Sequence, residues 1–291
     1  MTDAKRELRK KRNIQRKETW RRLRKNKLAM VGLVIFAIFA LTAIFADVIA
    51  DYETQALAMT RDRLETPSAE HLFGTDVVGR DVFARVVHGA RISLSIGLSV
   101  TAISLIAGGF IGAVAGYFCG KIDEIIMRVM DILMCIPAIL LALAIVAALG
   151  TTILNLLIAI SIATIPGYVR IIRSAVLTVA GQDFIEAARS CGVSTMGIIT
   201  KSVLPNAIGP IIVQATMSVA SMILAAAGLS FIGMGVPPTQ PEWGVMLSDA
   251  GAYMESYPHL VIFPGLAIVL SALSLNLLGD GLRDALDPRL K

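Results

Sequence analysis

The sequence predicts an all-α membrane protein of six transmembrane helices with both chain ends on the cytosolic side. Three observations carry that reading. First, 55% of the 291 residues are hydrophobic and only 17% are charged, against about 25% charged in an ordinary soluble domain. Second, several uncharged runs reach the roughly 20 residues that an α-helix needs to cross the hydrocarbon core. Third, the charge is lopsided. Thirteen Lys and Arg residues lie between Lys5 and Lys27, and the rest of the chain is net acidic although the whole carries +5. A basic segment that ends directly against an apolar run is a cytosolic anchor. No aromatic or groove-reading module accompanies it, so no nucleic-acid partner is expected.

The elements follow in order. Residues 1–27 form the basic cytosolic tail, and the first span is placed at 28–50. Its uncharged run, Leu28–Ala46, is longer than the roughly 7–15 residues of a signal peptide's apolar region and lacks a cleavage site before Asp47, so the span is retained. Residues 51–90 are a polar external segment with turn signals at Pro67–Ser68 and Gly74–Thr75–Asp76. His71 and His88 are expected there in surface or capping roles. Phe83, Val86 and Val87 are spaced for one helical face.

A five-helix core is placed at 91–280. Its first helix is uncharged from Ile92 to Lys121, with Gly108, Gly112, Gly116 and Gly120 recurring every fourth residue. Such a stripe lets two helices approach closely in lipid. The next span runs to about Leu149, with Pro137 inside it as a kink. At its base Arg128 and Asp131 have the i, i+3 spacing of an ion pair. The fourth span is expected from Ile153 to Val169, ended by Arg170 and Arg173, and the fifth from Asn206 to Phe231. The external Gly233–Tyr257 segment holds no Lys or Arg. The sixth span is expected from His259 to Leu278, and 281–291 is a cytosolic tail. Only Arg61, Arg63, Arg80, Arg85 and Arg91 oppose this topology, within an acidic segment.

No catalytic constellation is present, so an enzyme is not expected. The three histidines have no metal-ligand spacing, and there is no Gly-x-Ser-x-Gly elbow. Cys119, Cys135 and Cys191 lack paired spacing and are expected as free thiols. Gly116 to Lys121 is a near miss for a phosphate-binding loop, one residue short and with Ile122 where Ser or Thr would bind magnesium. If ATP drives this chain, a partner hydrolyses it.

The loop at 174–205 is the most specific feature. Gly181 breaks the preceding helix. Asp183 is placed as an N-cap, with Glu186 three residues on as in a capping box. Phe184, Ile185, Ala187, Ala188 and Cys191 make a short helix with small or apolar faces, and Gly192 is a natural stop. A helix of about two turns is not stable alone in water. It must pack on its own bundle or lie in a partner's groove.

At these residues the sequence resembles the permeases of bacterial ABC importers. Glu186-Ala187-Ala188, Gly192 and then Leu204-Pro205 match that family's coupling loop, although Ser202 stands where the pattern prefers Ile. Glu70 to Asp81, Gly89 to Leu94, Gly228 to Gly233 with Pro237, Pro238, Trp243 and Gly244, and Asn276 to Arg289 are similar to the signatures of its peptide and nickel group. The resemblance implies a type I ABC importer permease fold. Its cytosolic coupling helix would be contacted by ATPase subunits through Glu186, Ala187, Ala188, Gly192, Leu204 and Pro205. It implies a homologous second permease, two cytosolic ATPases that hold ATP and magnesium, an external substrate-binding protein, and no cofactor on this chain. Alternating access in the cytoplasmic membrane would move di- or oligopeptides. Nickel or another small solute is the alternative cargo. An ion-coupled secondary transporter is disfavoured because no acid stands at the membrane midplane.

Overall fold

The structure is a computed structural model and describes residues 17–286. Nine helices carry the architecture: α1 (Lys27–Ile44), α2 (Val82–Phe118), α3 (Gly120–Met134), α4 (Ala138–Leu149), α5 (Ile153–Ala180), α6 (Asp183–Ser190), α7 (Leu204–Phe231), α8 (Trp243–Ala250) and α9 (His259–Leu286). Residues 17–25 are also helical and precede α1. Among the described residues there is no strand, and only an isolated bridge joins Thr75 and Asp81. Helices α1, α2, α5, α7 (with the turns that lead into it) and α9 are each long and apolar enough to cross a membrane.

The remaining span is not one kinked helix. Helices α3 and α4 meet at 82°, and Pro137 stands at the N-cap of α4 with an extended ψ of 130°. Proline has no N–H to donate and disfavours helical geometry in the preceding residue, which favours an end of α3 here, whereas Pro166, Pro210 and Pro264 are carried inside α5, α7 and α9. The Cys135 N–H closes α3 on the Asp131 and Ile132 carbonyls.

Helices α2 and α5 pack over their length through the glycine stripe. A Cβ at Gly108 would lie 2.6 Å from Tyr168 Cβ, one at Gly112 2.7 Å from the Val169 carbonyl oxygen, and one at Gly116 2.8 Å from the Arg173 carbonyl oxygen. Gly120 does not belong to the stripe. It has φ +58° with open space around it, and with Cys119 at φ +52° it reverses the chain into α3. The glycines of the near-miss phosphate loop therefore serve packing and turning.

The end opposite α6 is closed by polar groups. Arg80 Nε donates to Asp76 at 2.6 Å, and its Nη2 donates to Asp249 on α8 at 3.1 Å. Arg85, 1% exposed, stands 3.7 Å from Asp76 and 3.8 Å from Asp249. Burial pushes the Asp249 carboxyl above its ordinary value, and Arg85 and Arg80 oppose that. Arg91 bridges Asp47 at 3.0 Å and donates to the Ala43 carbonyl at 2.9 Å, fastening α1 to α2. Glu242 is fully buried. It caps α8 through the Val245 N–H at 3.0 Å and accepts from Ser93 at 3.2 Å. The Trp243 indole donates to the Val86 carbonyl at 3.0 Å, and its ring lies where Gly89 has no side chain.

Of the two histidines expected in surface or capping roles, His71 meets the cap of α2 and His88 does not reach the surface. His88 is buried and its Nε2 meets the Ala50 carbonyl at 2.8 Å. Half-buried His71 pairs with Asp81, whose other oxygen caps α2. Helix α2 starts at Val82, ten residues before its uncharged run, so His88 lies inside the packed helix.

Two outcomes check this packing. Gly112→Val should lower the unfolding midpoint of the purified protein, at a cost of about 1–3 kcal/mol for overpacking. Gly109→Ala, whose Cβ has ordinary contact at 3.6 Å, should stay within about 0.5 kcal/mol of the parent; equal midpoints for the two variants would refute the close approach. At the opposite end, Asp76→Ala leaves two buried guanidinium groups facing a single carboxylate. It should cost about 3 kcal/mol, measured by thermal unfolding of the same preparation.

Candidate functional site

The loop between α5 and α7 forms a hanging helix with one face anchored and one face free. Helix α5 runs eleven residues past Val169, to Ala180, with Gly181 at its end. Gln182 occupies the N-cap of α6, and no side chain caps it. The expected capping box is therefore absent. Asp183 is already the first helical residue, where its charge favours the helix dipole, and Glu186 is exposed.

The stop at Gly192 is present in full. The Gly192 N–H donates to the Arg189 carbonyl at 3.0 Å and the Val193 N–H to the Ala188 carbonyl at 3.2 Å, the paired bonds of a Schellman motif. Gly192 has φ +75°, which an L side chain adopts only at a cost of about 1–2 kcal/mol.

Ile185, 1% exposed, and half-buried Ala188 pack into a cluster with Val176 and Val179 of α5, Ile198, Ile199 and Val203 of the returning turns, and Leu204. This anchor resolves how so short a helix persists. The opposite face leaves Glu186 and Ala187 exposed, with Phe184 43% and Met196 59% exposed beside them. Pro205 lies in the first turn of α7, where its missing N–H leaves no helical bond unmade. Of the six residues singled out from the sequence, Glu186, Ala187, Gly192 and Pro205 reach the surface, while Ala188 and Leu204 hold the loop to the bundle.

The sequence reading missed three polar links, one from this loop to α2 and two between α5 and α3. The Arg189 guanidinium lies 5.7 Å above the Tyr117 ring of α2, and its Nη2 donates to the Tyr117 hydroxyl at 3.4 Å. Arg173 forks onto both oxygens of Asp123. Asp131 pairs with Arg170 at 2.8 Å and not with Arg128. An i, i+3 spacing makes a pair available, but packing of α5 against α3 brings Arg170 to Asp131 instead. Two acids near the start of one span and two arginines near the end of the next were the signal available in the sequence. Cys119, Cys135 and Cys191 are free and exposed.

An all-helical bundle of membrane spans, with a short anchored helix hung from one end, defines a multi-pass membrane protein. Comparison with known proteins gives the family. Residues 108–291 match the model of the binding-protein-dependent transport system inner membrane component, and residues 15–67 match that of the N-terminal TM domain of oligopeptide transport permease C. The chain belongs to the family of binding-protein-dependent transport system inner membrane components, and is a multi-pass protein of the inner membrane.

It is 47% identical over 275 residues to the dipeptide transport system permease protein DppC of Alkalihalophilus pseudofirmus, covering 94% of this chain and 90% of that one. The di/tripeptide transport system permease protein DppC of Pseudomonas aeruginosa is 47% identical over 282 residues, with 94% and 92% covered. The glutathione transport system permease protein GsiD of Escherichia coli is 45% identical over 274 residues, with 94% and 90% covered. A solved structure of the MetNI methionine ABC transporter in an inward-facing conformation shares the fold, with a TM-score of 0.56 at 20% identity. That match covers 70% of this chain and 97% of that chain. A second crystal form gives 0.58 at 19% identity, with 70% and 96% covered.

The α3–α5 link can be tested by charge exchange. Asp123→Arg should lower the unfolding midpoint by placing two cations together, at a cost of about 1–3 kcal/mol. Adding Arg173→Asp should recover most of the loss; a double variant no better than the single would remove the pair from the account.

Proposed function

We propose that this chain moves di- or oligopeptides inward across the cytoplasmic membrane, as one of two homologous permeases in an ATP-driven importer. The observation that carries the reading is the two-faced helix α6. Ile185 and Ala188 hold it to the bundle, while Phe184, Glu186 and Ala187 stand exposed beyond a sharp stop at Gly192. An apolar and acidic face on so short a helix suits a groove in a soluble partner. In this reading the partner is a pair of cytosolic ATPases that bind ATP and magnesium, and α6, Leu204 and Pro205 receive their closure. The opposite end, where Arg80, Arg85 and Arg91 are neutralised by Asp76, Asp249 and Asp47, faces outward and meets a loaded binding protein.

The mechanism follows from rigid links. A push on α6 passes through its Ile185 anchor to α5. Arg173 and Arg170 couple α5 to Asp123 and Asp131 on α3, and the glycine stripe couples it to α2. Closure of the ATPases thereby moves α2, α3 and α5 together, giving alternating access. Peptide cargo is supported by the relatives, which carry a dipeptide, a di- or tripeptide and glutathione in their names.

Glu186→Lys and Gly192→Pro test the coupling role. Proline cannot adopt φ +75°, and lysine reverses the charge of the free face. In vesicles holding the complete importer, each should lower uptake by about 5–150-fold, the span of a coupling free energy of 1–3 kcal/mol, while the chain still inserts. Normal uptake with normal co-purification of the ATPases would sink the assignment.

A further inference from the structure

The helix at 17–25 ends at Asn26, and α1 starts one residue later. Asn26 makes the corner. Its side-chain oxygen accepts from the Ala29 N–H at 3.1 Å, and its Nδ2 donates to Asp284, near the end of α9, at 3.3 Å. Leu23 is buried in a cluster with Ala29, Leu282 and Ala285, and Gly281 has no side chain where Ala29 and Leu23 press against α9. The basic helix is therefore docked on the bundle.

Between it and the end of α9 lies a cavity of about 370 Å³, within the size range of small-molecule sites. Glu18, Arg21, Arg22 and Lys25 line it from the helix, and Asn26 and Asp284 line it from the corner and from α9. Positions 18, 21, 22 and 25 are three and four apart, so they share one helical face. Three cations thus meet two carboxylates, an excess of one positive charge. Arg22 is half-buried, yet among the described residues none of the three cations has an ion pair or a hydrogen bond. A cation drawn from water without a partner is costly, and a bound anion removes that cost.

The depth of the cavity follows from helix length. Helix α1 has 18 residues, which span about 27 Å at 1.5 Å each, against a hydrocarbon core of about 30 Å. Its first residue, Lys27, therefore stands close to the membrane boundary, and the cavity lies in the headgroup layer. Trp20, 50% exposed, suits that layer, where indole rings concentrate. Leu28, 64% exposed, begins the apolar surface of α1 just beyond.

We propose that this cavity binds the headgroup of an anionic phospholipid, one with a glycerol headgroup. The phosphodiester lies among Arg21, Arg22 and Lys25, whose guanidinium and ammonium donors suit phosphate oxygens. The glycerol hydroxyls donate to Glu18 and Asp284. The single phosphodiester charge matches the excess positive charge, whereas a zwitterionic headgroup brings its own ammonium and leaves that excess unmatched. The bound lipid staples the helix at 17–25 to α1 and α9. The inference is independent of what the protein carries.

The test is native mass spectrometry of the full-length chain in neutral detergent, where no charged bilayer adds a background attraction. The probes are dioleoyl phosphatidylglycerol and dioleoyl phosphatidylcholine. One phosphatidylglycerol should bind about tenfold or more tightly than phosphatidylcholine. Arg21→Gln, Arg22→Gln and Lys25→Gln together should erase the preference. Arg22→Gln alone, the mildest change, should weaken phosphatidylglycerol binding about fivefold. Lys17→Gln with Arg24→Gln removes charge outside the cavity and should retain the preference. Equal affinity of the parent for the two lipids would overturn the proposal. So would an equal loss of preference in the two multiple variants, which would leave only diffuse attraction. Soluble glycerol phosphate is the remaining arm: binding as tight as the lipid's would assign the cavity to a free phosphate and end the lipid reading.

Discussion

Helix α5 touches α2 through a contact that only glycine permits, and most of the functional geometry hangs from that contact. In lipid there is no hydrophobic drive between helices, so association rests on van der Waals packing and a few polar links. Gly108, Gly112 and Gly116 bring the backbone of α2 against the Val169 and Arg173 carbonyls of α5. With α5 so fixed, its end carries α6, its Arg170 and Arg173 hold α3, and its Thr164 and Tyr168 face the break in the third span. One helix thus joins the exposed face of α6 and a cavity inside the bundle.

Polar groups in this bundle are placed with economy. Thr164 donates back to the Ile160 carbonyl at 2.9 Å and meets Ser104 of α2 at 2.8 Å, so a hydroxyl pair supports the same α2–α5 seam. The arginines at the end opposite α6 follow the same logic. Each is matched to a carboxylate, and Arg85 lies sealed between Asp76 and Asp249. A cation neutralised in this way has little weight in setting topology, which explains why Arg80, Arg85 and Arg91 beyond the first span do not contradict the basic N-terminus. At the break, the first turn of α4 has no side-chain cap, and it lies where a cavity accommodates it.

Legibility divided along a physical line. The spans, the close-packing role of Gly108, Gly112 and Gly116, and the stop at Gly192 were all readable, because composition, period and φ preference are local properties. The Asp183–Glu186 capping box was a local inference that failed. The chain enters α6 through an extended Gln182, and burial of Ile185 sets the helix start in place of the cap. Asp131 was assigned to the wrong arginine because sequence spacing reports Arg128 as available and does not report Arg170 at all. Gly120 was counted into the stripe by period alone, although the chain had already turned at Cys119.

By itself the sequence determined that the chain is an all-helical membrane protein, that its basic end precedes the first span, and that a short helix near Glu186 begins and ends abruptly. Hydropathy and backbone preference act residue by residue, so they survive without a fold. Only the tertiary structure decided which face of that helix is anchored, which acid meets which arginine, and that Pro137 opens a break where a bend was expected. It also gathered Tyr168, Gln214 and Ser218, from two different helices, onto one wall of the cavity at that break. Those outcomes depend on the distance and angle between helices far apart in the chain, and steric approach in three dimensions sets both.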